Sequence, residues 1–242
     1  MPDVPDPRPR PTPAAAAYPA HLLDWRPQQA RRPHVLPTIT DPIVEPAWDG
    51  MQVLAHFDLE RGEADRPWLR LIDEDGDDLV VAYEEVAAEL RRAVLAVDAV
   101  IDGWLTTQAT RSGEGALITP VLKPSAVSLL TGRSGTLVAA QLPKPTEDPV
   151  MAFVAVDLLR VDGQDLLGVP LLERKRLLEG VVRPSTLVRV SPFTRPPLSQ
   201  WLATWKASGF SGAILKAANG SYEPGSVARD WAYVAAPEGR QR

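Results

Sequence analysis

Twelve of the 25 prolines fall within residues 1–46, and Pro2, Pro5, Pro7, Pro9, Pro11 and Pro13 recur almost every second residue. Each proline removes a backbone donor and fixes its own φ, so this stretch builds neither helix nor ladder. It predicts a Pro-rich flexible leader over residues 1–37, a folded domain over 38–236 and a short tail over 237–242. About 200 residues suffice to bury a full hydrophobic core without staples. None are on offer, because cysteine is absent from the chain. Disulfide scaffolds, thiolate zinc sites and cysteine nucleophiles are thereby excluded together. Only three histidines, His21, His34 and His56, remain for metal or triad chemistry. The N-terminus lacks a basic segment leading into an apolar one, so no secretory signal is expected. No apolar run approaches the about 18 residues of a membrane span. A cytoplasmic location is the expectation.

Beyond the leader the apolar pattern switches between periods of two and 3.6. Gln52 to Asp58 alternates Val53, Ala55 and Phe57 with Leu54, His56 and Asp58, and Trp68 to Ile72 runs into the acidic turn Asp73 to Asp78. These read as antiparallel strands. Val86, Leu90, Val94 and Val97 then recur at helical spacing, with Glu84 and Glu85 in the first turn favouring the helix dipole. Val97 to Leu105 reads as a strand that Asp102-Gly103 breaks, residues 112–146 as a loop around short strands, and Val150 to Leu159 as a buried strand. Pro170 opens a helix through Val182 that is expected to turn Leu171, Leu172, Leu177, Leu178, Val181 and Val182 inward and Glu173, Arg174, Lys175 and Arg176 outward. Pro197 opens another, with Trp201 and Trp205 as core and Gly209 as its stop, before a strand from Phe210 to Lys216.

Charge is unevenly spread. The net charge is −5, yet residues 58–102 hold 14 acidic against 5 basic side chains, and residues 183–242 hold 8 basic against 3 acidic. Any anion-binding surface is therefore expected from the C-terminal part, through Arg183, Arg189, Arg195, Lys206, Lys216 and Arg229. Of the 26 basic residues only five are lysines: Lys123, Lys144, Lys175, Lys206 and Lys216. Arginine excess with abundant alanine and proline points to a GC-rich bacterial source.

Four segments, in order, resemble the adenylation domain of ATP-dependent DNA ligases. Val44 to His56 resembles the family segment Glu-x-Lys-x-Asp-Gly-x-Arg, and Val97 to Leu105 resembles its strand ending in Asp-Gly-Glu. Phe153 to Leu178 is similar to the run Phe-Asp-Leu-Leu, then Asp-Gly, then Pro-Leu-x-Glu-Arg. Gly209 to Lys216, Tyr222 to Gly225 and Trp231 resemble Glu-Gly-x-x-x-Lys, Tyr-x-Pro-Gly and Trp-x-Lys. The resemblance implies an α+β nucleotidyltransferase fold of two antiparallel sheets with flanking helices around a nucleotide cleft, here with no OB domain after it.

It also implies a chemistry whose parts can be checked one by one. The family's nucleophilic lysine, which attacks the α-phosphate of ATP, falls on Ala47, and its nearby arginine on Gln52. The metal- and ribose-associated glutamate falls on Trp104, the glutamate opening the last segment on Ser211, the adenine-stacking aromatic on Val156, and the late lysines on Tyr233 and Ala235. Matching positions are Glu45 (adenine edge), Asp49 and Gly50 (the turn) and Lys216 (α-phosphate), so Glu45, Asp49, Gly50, Gln52 and Lys216 are the candidate nucleotide-binding residues, with no metal site and no catalytic nucleophile. The cofactors are unknown, being ATP and Mg²⁺ if the cleft functions; nucleotide and DNA are the implied partners, with DNA repair as the implied setting. Three readings stand: a ligase-like pseudoenzyme that binds nucleotide or acts as an accessory, an active ligase or nucleotidyltransferase with unusual residues, and a non-catalytic nucleic-acid-binding module.

Overall fold

In the computed structural model, residues 18–63, 66–111 and 149–236 are described. Residues 1–17 of the predicted leader, the expected loop over 112–146 with Lys123 and Lys144, and the tail lie outside them. The strands are β1 (Gln29–Arg31), β2 (Pro42–Pro46), β3 (Met51–Glu63), β4 (Arg66–Asp73), β5 (Asp98–Thr106), β6 (Ala152–Val161), β7 (Gln164–Asp165), β8 (Val188–Val190), β9 (Gly212–Ala217) and β10 (Val227–Ala235). The helices are α1 (Glu84–Ala93), α2 (Gln108–Arg111), α3 (Leu171–Val181) and α4 (Leu198–Ala207). One sheet runs β4-β3-β5-β6-β7 with β8 alongside β6, and the other runs β1-β10-β9-β2. All pairings are antiparallel except β6 with β8 and β1 with β10. This is the expected α+β arrangement of two sheets with helices packed against them.

Strand β3 shows why the sheets stack. Its residues 53–57 are all buried, because alternate side chains enter different cores. Val53, Ala55 and Phe57 pack beneath α1 and α3 with Val86, Leu90 and Leu178. Leu54 faces the other way, into a seam shared with Val100, Leu159, Tyr222 and Trp231. Burying each large side chain of this kind contributes about 1.5–3 kcal/mol. A third cluster seats Trp201 and Trp205 of α4 against Val154 and Val156 of β6 and Leu215 of β9, so both tryptophans are core. In α1, Val86, Ala87, Leu90 and Ala93 form the buried face as the spacing predicts, whereas Val97 lies beyond the helix and is exposed.

Three expectations are corrected. Order begins well before residue 38: Tyr18 and Leu22 are buried, Ala20–Asp24 form a 3-10 turn, and β1 is paired with β10. The prolines here are fewer and sit where no ladder donor is required, while Tyr18, Leu22 and Trp25 supply apolar anchors in the seam. Asp102-Gly103 does not break β5; the register shifts there and the strand continues through Thr106. Gly103 is needed for closeness, since a Cβ on it would lie 2.3 Å from Phe153 Cζ of the neighbouring strand. Finally, α3 turns Arg174 and Lys175 inward and leaves Leu177 43% exposed. Leu171, Arg174, Lys175 and Leu178 share one helical face, and the two cations are buried there because carboxylates wait on the strands beneath.

Candidate functional site

Residues of both sheets line a cavity of ≈ 150 Å³. β2 brings Glu45 to its floor, and the turn after β2 brings Ala47 and Asp49 to its rim, before the chain re-enters β3 at Gln52. Lys216 comes from β9, Trp231 and Tyr233 from β10, Trp104 from β5, Val156 from β6, and Ser211 from the link before β9. Residues from four of the sequence segments thus meet in one place. Of the five candidates, Glu45, Asp49, Gln52 and Lys216 line this cavity, while Gly50 lines a neighbouring depression with Asp73 and Glu74. Gly50 adopts φ +140°, and a Cβ on it would lie 2.2 Å from the Leu105 carbonyl oxygen, so its role is backbone geometry.

Glu45 is gripped from both sides. Its carboxylate pairs with Lys175 of α3 and, at 2.9 Å, with Lys216 Nζ. All three residues are at most 4% exposed. Burial raises the affinity of the Glu45 carboxyl for its proton, but the two ammonium groups outweigh it and hold the pKa below the usual value. Lys175 also donates to the Val156 carbonyl at 2.8 Å, and Lys216 Nζ stands 4.1 Å from the Trp231 ring centroid. Two cations against one anion leave this buried trio with one net positive charge. Sequence reading placed Lys175 on an outward face; its three- and four-residue spacing from Leu178 and Leu171 was the signal that could have placed it inward.

A second buried network lies beside the first. Gln52 Nε2 donates to both oxygens of Asp102, at 2.9 and 3.1 Å, and the Tyr222 hydroxyl donates to Asp102 Oδ2 at 2.9 Å. The same hydroxyl accepts from the Gln28 backbone N–H at 2.8 Å. Burial pushes the Asp102 carboxyl up to about 7, against the pull of Lys216 and the Gln52 hydrogen bond. Behind it, Arg174 clamps Asp157 with two hydrogen bonds of 2.9 and 2.8 Å, both residues fully buried. Asp102, Tyr222, Gln28 and the Asp157–Arg174 pair were not among the sequence candidates.

The remaining cavity positions named by the family segments are chemically quiet. Ala47 is buried and its N–H donates to the Gly212 carbonyl at 3.0 Å. Trp104, Ser211 and Val156 offer no carboxylate, and among the described residues no three His, Asp or Glu side chains gather in a way that could hold a metal. The donor set does not fit a resident divalent cation, which wants several oxygen ligands. The expected basic surface is divided as well: Lys216 is buried, and Arg195 is paired with Asp41.

Against known families, residues 35–234 match the model of the ATP dependent DNA ligase domain. The chain belongs to this family. Among curated relatives, the DNA ligase of Natronomonas pharaonis is 31% identical over 192 residues, covering 78% of this chain and 31% of the relative. The multifunctional non-homologous end joining DNA repair protein LigD of Mycobacterium tuberculosis is 27% identical over 192 residues, covering 77% of this chain and 20% of that protein. The chain therefore spans about a third or less of the length of these relatives. The ligase domain of M. tuberculosis LigD shares the fold with TM-score 0.57 at 22% identity, over 88% of this chain and 60% of that one. Mycobacterial DNA ligase D complexed with ATP and MES does so with TM-score 0.58 at the same identity and coverage. Among the described residues no helix is long and apolar enough to cross a membrane.

Proposed function

We propose that this domain keeps the nucleotidyltransferase cleft of the ligase family but does not carry out the first chemical step of ligation, and that it acts as a non-catalytic nucleotide-binding or accessory protein. The observation that carries this reading is Ala47. Transfer of an adenylate to the enzyme requires a side-chain amine with a free lone pair at the α-phosphate. At the position where the resemblance places that amine, the cavity presents a methyl group. The two lysines nearby are no substitutes. Lys216 is held by Glu45 and the face of Trp231, and Lys175 by Glu45 and the Val156 carbonyl, so each side chain is already engaged.

The rest of the cavity supports the same reading. Phosphoryl and nucleotidyl transfer rely on positioning and on neutralising charge with Lys, Arg and Mg²⁺. Here Gln52 stands for an arginine and spends its amide on Asp102, while Trp104 and Ser211 stand where carboxylates would attend a metal. Nucleotide binding is proposed by kinship, since a relative with this fold is complexed with ATP. DNA as a partner, and a role in DNA repair, are likewise proposals from the names of the relatives.

Intact-mass spectrometry of the purified chain after incubation with ATP and Mg²⁺ tests the reading. The expected result is an unchanged mass. A stable adduct of one AMP per chain would overturn it and restore an active transferase with unusual residues.

A further inference from the structure

One cation on the cavity lies outside the residues that match the ligase family. Arg32 follows β1, the strand contributed by the segment that the proline pattern had assigned to a flexible leader. That segment is fixed as a wall of the cavity by three contacts. The Gln29 N–H donates to the Ser226 carbonyl at 2.9 Å, Gln29 Nε2 donates to Gln52 Oε1 at 3.1 Å, and the Gln28 N–H donates to the Tyr222 hydroxyl at 2.8 Å. They hold the Arg32 guanidinium 4.7 Å from the Tyr233 ring centroid, at the exposed mouth of the cavity. Among the described residues Arg32 forms no ion pair, whereas the other cation lining the cavity, Lys216, is committed to Glu45.

A guanidinium lying over an aromatic ring keeps its in-plane N–H fork available, and that fork matches the spacing of phosphate oxygens. We infer that Arg32 is the anion-recognising residue of this cavity, and that the cavity takes a nucleoside monophosphate in preference to a triphosphate. The preference follows from charge and from size. Arg32 and Lys216 on the lining are balanced by Glu45 and Asp49, and Lys175 behind them adds one positive charge. A phosphomonoester brings a charge of about −2. Each further phosphate adds negative charge that none of the described side chains lining the cavity meets, and among the described residues the donor set does not fit a cation that could meet it. Size works in the same direction, since a monophosphate asks less of a cavity of ≈ 150 Å³ than a triphosphate does. The base is received by the apolar surface of Trp104 and Val156, and the phosphate lies at the mouth on Arg32.

The inference rests on the cavity being a non-catalytic nucleotide site, as proposed above. It is tested by calorimetric titration of the full chain, native and as Arg32→Ala and Arg32→Lys, with AMP, ATP and adenosine. The native chain is expected to bind AMP at least tenfold more tightly than ATP. A charge-assisted hydrogen bond contributes about 1.5–3 kcal/mol, so Arg32→Ala should weaken AMP about ten- to hundredfold. Adenosine affinity should stay unchanged, and Arg32→Lys should recover part of the loss. Binding of ATP equal to or tighter than AMP overturns the inference, as do absence of AMP binding and an equal loss for AMP and adenosine in Arg32→Ala. Thermal melting confirms that the variants, altered at an exposed position, remain folded. An AMP adduct in the mass experiment would instead defeat the non-catalytic reading, so the two failures are separable.

Discussion

Asp102 offers a stability measurement whose size follows from its surroundings. Its carboxyl is fully buried, accepts hydrogen bonds from Gln52 and Tyr222, and is pushed from an ordinary value near 3.8 up to about 7. Between these values the folded chain keeps the proton and the unfolded chain has released it. The stabilisation is therefore fully present below about pH 4, declines as pH rises, and is lost once pH passes the folded value of about 7. Integrated from pH 5 to pH 8, this single group makes the native chain about 2–3 kcal/mol less stable at the higher pH. Asp102→Asn removes the titration while preserving size. Urea unfolding of both proteins at pH 5, 6, 7 and 8 isolates the effect, because His56, which burial lowers to about 4, contributes equally to each. The stability difference between native and variant should shift by about 2–3 kcal/mol across that range, in the sense that the variant gains with rising pH. A difference constant to within about 0.5 kcal/mol would refute the reasoning, because this network would then not hold a proton near neutrality.

Other consequences can be measured alongside. Glu45→Gln leaves Lys175 and Lys216 buried without their carboxylate, so it should cost about 3–5 kcal/mol. In scanning calorimetry this lowers Tm by roughly 6–20 °C for a domain of this size, and a shift under about 2 °C would show that the trio is not the buried pair of contacts described. Gly103→Ala should destabilise by about 1–3 kcal/mol through collision with Phe153, and Phe153→Leu in the same chain should recover part of that in urea unfolding. The combined variant Ala47→Lys, Trp104→Glu, Ser211→Glu restores the charged groups that the family resemblance implies. It is expected to bind ATP more tightly than the native chain by calorimetry, and equal affinity would end the nucleotide-site reading of the cavity.

Much of the fold was legible because it is written in local periodicity. The four-residue step from Val86 to Leu90 marks α1, the apolar run to Leu159 marks β6, and Pro170 and Pro197 sit immediately before α3 and α4. The candidates Glu45, Asp49, Gln52 and Lys216 were legible through their segments, and the fold does bring them to one cavity. Hydrophobicity alone misplaced Arg174 and Lys175, because a cation is inward only where a carboxylate awaits it. The proline pattern misplaced the beginning of the packed chain for a related reason. It describes what residues 1–13 cannot form, and is silent on whether Tyr18 and Leu22 find a seam to fill.

By itself, then, the sequence determined the elements, the family segments and the absence of an amine at position 47, since side-chain identity and spacing need no partner to be read. Tertiary structure decided which charges are buried, which wall closes the cavity and which cation faces it. Arg174 reaches an aspartate 17 residues away, Tyr222 reaches Asp102 across 120, and Gln28 reaches Tyr222 across 194. Such contacts are set by strand order and sheet packing. A buried ionisable group acquires its charge state, and so its chemistry, from neighbours that only the folded chain supplies.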